Sequence, residues 1–171
     1  FLNCKKEKPF KGEDRVMINS YSDITQHDER PEMRAPDIAN KTVEEIQSGK
    51  YAAIFINLCN ADMVGHTGNI PAAIKGIEAI DDALAKIVPV ARECGYEVIV
   101  TADHGNAEQM LDEDSSDRLT AHTANPVPFI LVTDRFNKLT KDDGSQPDVA
   151  PTILKLMGLE QPEEMTGESL V

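Results

Sequence analysis

Five side chains in three short stretches carry the chemistry open to this sequence. Asp62 and His66 fall four apart in "NADMVGHTGN", Asp103 and His104 are adjacent in "TADHGNAEQM", and His122 lies in "AHTANPVPF". Three of the four histidines in the chain belong to this set. Imidazole and carboxylate together form a donor set suited to manganese, zinc and iron, and two-metal hydrolytic or phosphoryl-transfer centres hold their ions about 3.5–4 Å apart. Each residue alone has an ordinary reading. Asp103 could cap the following segment, with Asn106 as another capping candidate; His66 could be a loop histidine; His122 could be a polar residue before the Pro126 and Pro128 turn. Their joint placement is what points to a metal or phosphate centre.

That placement depends on the elements around them. Arg15 to Asn19, Tyr51 to Leu58, Tyr96 to Thr101 and Val127 to Val132 are short runs rich in β-branched and aromatic residues, which predicts four strands. Between the second and third, Ile74, Ile77, Ile80, Leu84, Ile87 and Val88 recur at helical spacing. The spacing predicts an amphipathic helix over Pro71 to Cys94, with Glu78, Asp81 and Asp82 on its solvated side and Pro89 ending or kinking it. Shorter helices are expected at Ala35 to Gln47 and at Val149 to Met157, the latter stopped by Gly158. The stretches Leu111 to Thr120 and Phe136 to Gln146 read as loops. Strand, long helix, strand, with nearly continuous apolar strands, predicts an α/β fold: a mostly parallel sheet flanked by helices.

In such a sheet, ligands gather beyond the carboxyl ends of the strands. Asp62 and His66 follow one expected strand, and Asp103 and His104 follow another. Neighbouring residues on a continuing strand point to opposite faces, so Asp103 and His104 can share a target only if the strand stops, which Gly105 permits. His122 precedes its strand, so a loop has to carry it back across the sheet. His27 reads as a surface residue, and Cys59 as a thiol filling space.

Composition narrows the partners. A chain of 171 residues with 40% hydrophobic content can bury one core, which predicts a single domain. The net charge of −13 argues against nucleic acid and anionic membranes and in favour of cations. No apolar run approaches the roughly 20 residues that span a bilayer. Cys4, Cys59 and Cys94 have no paired spacing, which fits a reducing, cytoplasmic setting. Opening on Phe1-Leu2-Asn3 without a methionine is what an excised piece would show.

The stretches "NADMVGHTGN", "AAIKGIEAIDDAL", "TADHGNAEQM", "AHTANPVPFI", "DVAPTILKLMG" and "EMTGESL", with "GEDR" at Gly12 to Arg15 and "PEM" at Pro31 to Met33, resemble in order the carboxyl-terminal part of cofactor-independent phosphoglycerate mutase, of the alkaline phosphatase superfamily. The resemblance implies an alkaline phosphatase-like fold, with residues 1–171 as the carboxyl-terminal portion of one metal-binding domain, incomplete by itself. It implies the interconversion of 3-phosphoglycerate and 2-phosphoglycerate in glycolysis through a phosphoserine, with two ions, usually Mn²⁺. It assigns Asp62, His66 and His122 to one ion, and Asp103 and His104 to the second. The family's nucleophilic serine, a further aspartate, a lysine and the arginines that grip substrate belong to stretches not matched here. Ser20, Ser22, Ser48, Ser115, Ser116, Ser145 and Ser169 sit in no stretch matching the family's nucleophile motif. The isolated chain is therefore expected to be inactive and to hold one ion or none, its partners being phosphoglycerate and the rest of a parent chain. Cys4-Lys5 replaces the family's usual paired glycines, and His27 its usual tyrosine. Two alternatives stand beside this reading: another superfamily enzyme, such as a phosphopentomutase or a phosphatase, and a non-catalytic metal-binding module.

Overall fold

A computed structural model describes residues 8–112, 115 and 117–171; Cys4, Lys5 and, within the expected loop Leu111 to Thr120, Glu113, Asp114 and Ser116 lie outside the described residues. The chain is α/β. A short 3-10 turn at His27–Glu29 leads to helices α1 (Ala35–Ser48), α2 (Asn60–Gly65) and α3 (Ile70–Glu93), strands β1 (Val98–Thr101) and β2 (Phe129–Val132), and helix α4 (Gln146–Met157).

Helix α1 starts with Pro36 in its first turn, where the missing N–H costs nothing, and ends at Gly49, whose φ of 63° is the left-handed conformation that glycine adopts freely. Helix α3 is capped by the Asn69 side chain, which accepts from the Ala72 amide at 3.3 Å. It runs through Pro89 to Glu93 rather than ending there. The proline removes a single hydrogen bond, while Ile87 and Ala91, on either side of it, are buried against α1 and keep that last stretch in place.

The two long helices pack through small residues. Ala35, Ala39 and Ile46 of α1 meet Ala83, Ile87 and Ala91 of α3, and Val43, Ile54, Leu58, Tyr96 and Val98 close around them. The isoleucine stripe expected to face the core is thus only partly used. Ile74 and Ile77 are 54% and 46% exposed, whereas Ala72, Ala73, Gly76 and Ala83 are buried. Periodicity alone favoured the large residues, but close packing against α1 and the turn at Pro31 selects the small ones: a Cβ on Gly76 would lie 3.3 Å from the Pro31 carbonyl oxygen.

The sheet also differs from the parallel arrangement read from the sequence. Strands β1 and β2 pair antiparallel, with Val98 opposite Val132 and Thr101 opposite Phe129. Among the described residues, Arg15 to Asn19 and Tyr51 to Leu58 belong to no strand, and Val16, Met17, Phe55 and Ile56 are exposed. A parallel pair needs a crossover element. Helix α3 is one, but the extended segment before it finds no ladder partner among the described residues. Between β1 and β2 the chain instead doubles back on itself, joined by bridges at Gly105–Thr123 and Leu111–Arg118, and this delivers β2 antiparallel. Strand β2 begins at Phe129 because Pro126 and Pro128 have no N–H to give a ladder.

Helix α4 starts three residues before the expected Val149. Ser145 and Asp148 form a reciprocal capping box there, and Gly158 ends the helix with φ of 70°. Asp148 Oδ1 also accepts from the Glu168 amide at 2.8 Å, and the Leu170 amide donates to Thr152 Oγ1 at 2.9 Å, which folds the terminal residues over α4. Gln146 Nε2 donates to the Ala102 carbonyl at 2.6 Å, joining the start of α4 to the end of β1. No helix among the described residues is long and apolar enough to cross a membrane.

Candidate metal centre

Three segments converge at the end of β1. Helix α2 supplies Asp62 from its first turn and His66 as its C-cap, so a spacing of four becomes one helical face, and Gly68, with φ of 67°, turns the chain away. The helix is fixed from below by Asn60, 1% exposed, whose Nδ2 donates to the carbonyls of Pro31 at 2.8 Å and Glu32 at 2.9 Å. Asp103 and His104 follow β1 immediately. His122 is returned to the same place by the Gly105–Thr123 bridge, whose Thr123 amide donates to the Gly105 carbonyl at 2.9 Å. This is the loop that the sequence requires but does not reveal.

The donor atoms form a near-equilateral triangle. His66 Nε2 lies 3.1 Å from Asp62 Oδ1 and 3.1 Å from His122 Nε2, and His122 Nε2 lies 3.1 Å from Asp62 Oδ1. A tetrahedral ion with bonds near 2.0 Å holds its ligand atoms about 3.3 Å apart, so these edges have the size of a coordination polyhedron. Tautomer chemistry points the same way. His66 Nδ1 lies 2.6 Å from the Thr120 carbonyl oxygen, and a carbonyl can only accept, so Nδ1 carries a proton, and in the neutral ring the Nε2 lone pair then faces Asp62 and His122. Asp62 ion-pairs with no lysine or arginine among the described residues; its neighbours are imidazole nitrogens and the Asn106 amide. The donor set fits a divalent cation.

His104 and Asp103 stand at the edge of this triangle. The His104 ring stacks on His122 with centroids 3.6 Å apart, and its Nε2 is 3.9 Å from Asp62 Oδ1 and 3.7 Å from Asp103 Oδ1. Asp103 is 89% exposed at its side chain. All five residues therefore share one rim, with three in mutual contact and two beside them.

Two further residues build the site. Asn106, a capping candidate in the sequence, is 4% exposed, and its Nδ2 donates to Asp62 Oδ1 at 3.2 Å instead of closing a helix end. Glu108 ties two loops together: one oxygen accepts from the Asn106 amide at 2.6 Å, the other from the Thr123 hydroxyl and from Asn125 Nδ2 at 3.0 Å. The Thr123 hydroxyl, followed by these other donors, holds the Glu108 carboxyl below its usual value. The available signal was their position just after Asp-His-Gly, at the mouth of a strand-end loop. Cys59, at the N-cap of α2, is half-buried, and burial pushes its thiol up, away from the thiolate a nucleophile would need. His27 departs from the surface reading: it is half-buried, its Nδ1 enclosed without a hydrogen-bond partner among the described residues, in the wall of a small cavity shared with Tyr21, Met33 and Asn60. Ile18, Ser20 and Ile24 line the same cavity.

A family model described as the Metalloenzyme superfamily matches residues 1–161. The whole chain is 51% identical to a 2,3-bisphosphoglycerate-independent phosphoglycerate mutase of Rhodopseudomonas palustris (strain ATCC BAA-98 / CGA009) and 49% identical to one of Wolbachia pipientis wMel, covering 33% of each. The chain thus spans about a third of the length of the curated relatives it matches. Among solved structures, one described as Leishmania mexicana phosphoglycerate mutase at low cobalt concentration overlays on 90% of this chain and 30% of its own, with a TM-score of 0.78 and 33% sequence identity. The likeness first read from separate motifs therefore extends over the chain, in sequence and in fold.

Proposed function

Because the chain belongs to the Metalloenzyme superfamily, we propose that Asp62, His66 and His122 hold one divalent cation, manganese, and that Asp103 and His104 face a second, for a phosphoglycerate mutase that interconverts 3-phosphoglycerate and 2-phosphoglycerate. Residues 1–171 are the carboxyl-terminal portion of its phosphatase-like domain. The setting is cytoplasmic and glycolytic, and the substrate is a small phosphorylated acid. The observation that carries the reading is the triangle of 3.1 Å edges between Asp62 Oδ1, His66 Nε2 and His122 Nε2.

A cation bound there supplies positive charge to phosphoryl oxygens and lowers the proton affinity of a coordinated hydroxyl. The chain's own residues do the rest of the work at this rim. Thr120 fixes the His66 tautomer, α2 sets Asp62 and His66 on one face, and the Gly105–Thr123 bridge brings His122 to them. Three protein ligands leave a coordination position open, as catalytic sites require. Among the described residues no lysine or arginine is ion-paired to the five.

Calorimetric titration of the 171-residue chain with Mn²⁺ is expected to show one weakly held ion, abolished by Asp62→Ala. At a hundredfold excess over Kd, binding to the folded state alone would add about 2.7 kcal/mol of stability, visible as a raised Tm. Absence of any Mn²⁺, Co²⁺ or Zn²⁺ binding would end the proposal. The chain alone, given 3-phosphoglycerate and Mn²⁺, is expected to show no turnover.

A further inference from the structure

Asn106 is placed where neither capping nor packing explains it. It is 4% exposed, and its amide nitrogen lies 3.2 Å from Asp62 Oδ1 and 3.5 Å from His66 Nε2, two of the three atoms in the triangle. In the neutral His66 ring with its proton on Nδ1, facing Thr120, both atoms are acceptors. The amide nitrogen thus lies within hydrogen-bond distance of both atoms, nearer Asp62 Oδ1, on the side where they face each other. The rest of the side chain is committed to this aim. Its Oδ1 is buried without a hydrogen-bond partner among the described residues and lies against Gly65, where an added Cβ would approach it to 2.2 Å. Its main-chain amide is held by Glu108 at 2.6 Å. A buried acceptor left unsatisfied is costly, and such costs are tolerated where a functional geometry requires them.

We infer that Asn106 is a positioning residue for the metal centre: its amide stands in for positive charge and keeps Asp62 Oδ1 and His66 Nε2 turned toward one point before an ion arrives. It rests on the metal reading above and adds a role that the ligand set does not contain. Preorganised ligands bind more tightly because less ordering remains to be done on binding. Outer partners of metal ligands typically contribute 10–100-fold to affinity. Gly65 belongs to the same device, because only a residue without Cβ lets the amide sit this close to α2.

The test compares wild type, Asn106→Leu and Gly65→Ala in the 171-residue chain. Leucine keeps the branched shape and loses the donor; the new methyl at position 65 displaces the amide and leaves its chemistry intact. Each variant is titrated with Mn²⁺ by calorimetry and with Co²⁺ by visible absorption, which reports ligand geometry, and each is melted in chelator to check the unliganded fold. The expected result is Mn²⁺ affinity about 10–100-fold weaker in both variants, with a changed Co²⁺ spectrum. Wild-type affinity and spectrum in either folded variant would overturn the inference alone. Failure of wild type to bind either ion would overturn the metal reading and this inference with it.

Discussion

The amide of Thr123 donates to the carbonyl of Gly105 at 2.9 Å, and this one bridge closes the chain segment between Asp103-His104 and His122. A Cβ on Gly105 would lie 2.2 Å from Thr123 Oγ1 and 2.4 Å from Glu108 Oε1. Glu108 could swing aside by surrendering its hydrogen bonds, but Thr123 Oγ1 is one bond from a Cβ that the bridge holds in place. Gly105→Ala is therefore expected to destabilise the chain by about 1–3 kcal/mol and to weaken Mn²⁺ binding by moving His122. Thermal melts with and without Mn²⁺ measure both effects. A variant matching wild type in each would show that the bridge does not position His122.

The His66 Nδ1 contact with the Thr120 carbonyl, at 2.6 Å, makes a spectroscopic prediction. Nitrogen-15 chemical shifts of the neutral ring should report a protonated Nδ1 and a bare Nε2, and Zn²⁺ should shift Nε2 while leaving the Nδ1 proton in place. An Nε2-protonated neutral ring would remove the lone pair from the triangle and contradict the geometry.

Much of the proposed site was legible because the residues proposed as ligands are chemically conspicuous and stand at the ends of apolar runs. Asp62 and His66 announce themselves by a helical spacing, and Asp103 and His104 by the glycine that follows. The contact of His122 with Asp62 depends on a bridge between residues 105 and 123, whose partners carry no compositional mark. Asn106 resembles any capping asparagine until its burial and its partner are known. The helices were readable from capping and periodicity, but the buried face of α3 was not, because shape complementarity rather than hydrophobicity chose Ala83 over Ile77. The sheet was misread for a related reason: an apolar run expresses a capacity to pair, and only a neighbouring strand makes it a ladder.

That choice of face gives a paired prediction. Ile87 is 3% exposed, within the α1–α3 contact, and Ile74 is 54% exposed on the same helix. Ile87→Ala is expected to cost about 2–5 kcal/mol. Ile74→Ala should stay within about 0.5 kcal/mol of wild type. Urea unfolding followed by circular dichroism separates them, and equal losses would mean that the isoleucine stripe is buried in solution after all.

Asp148 sets the acid limit of the terminal fold. Main-chain donation from Glu168, then from Ser145, with further help from Lys141 and the Ser145 hydroxyl, lowers its carboxyl from the ordinary 3.8 to about 2. The unfolded chain therefore takes up this proton at a higher pH than the folded chain does. The contribution is complete above pH 3.8, declines as pH falls, and is lost once pH passes below about 2. Asp148→Asn removes the charge that the cap, the Lys141 contact and the Glu168 amide share. The variant should be less stable than wild type at neutral pH, and the gap should narrow through that acid window. Urea midpoints measured at a series of pH values test it: a gap that stays constant down to pH 2 would show that the Asp148 charge does not hold the terminal residues on α4.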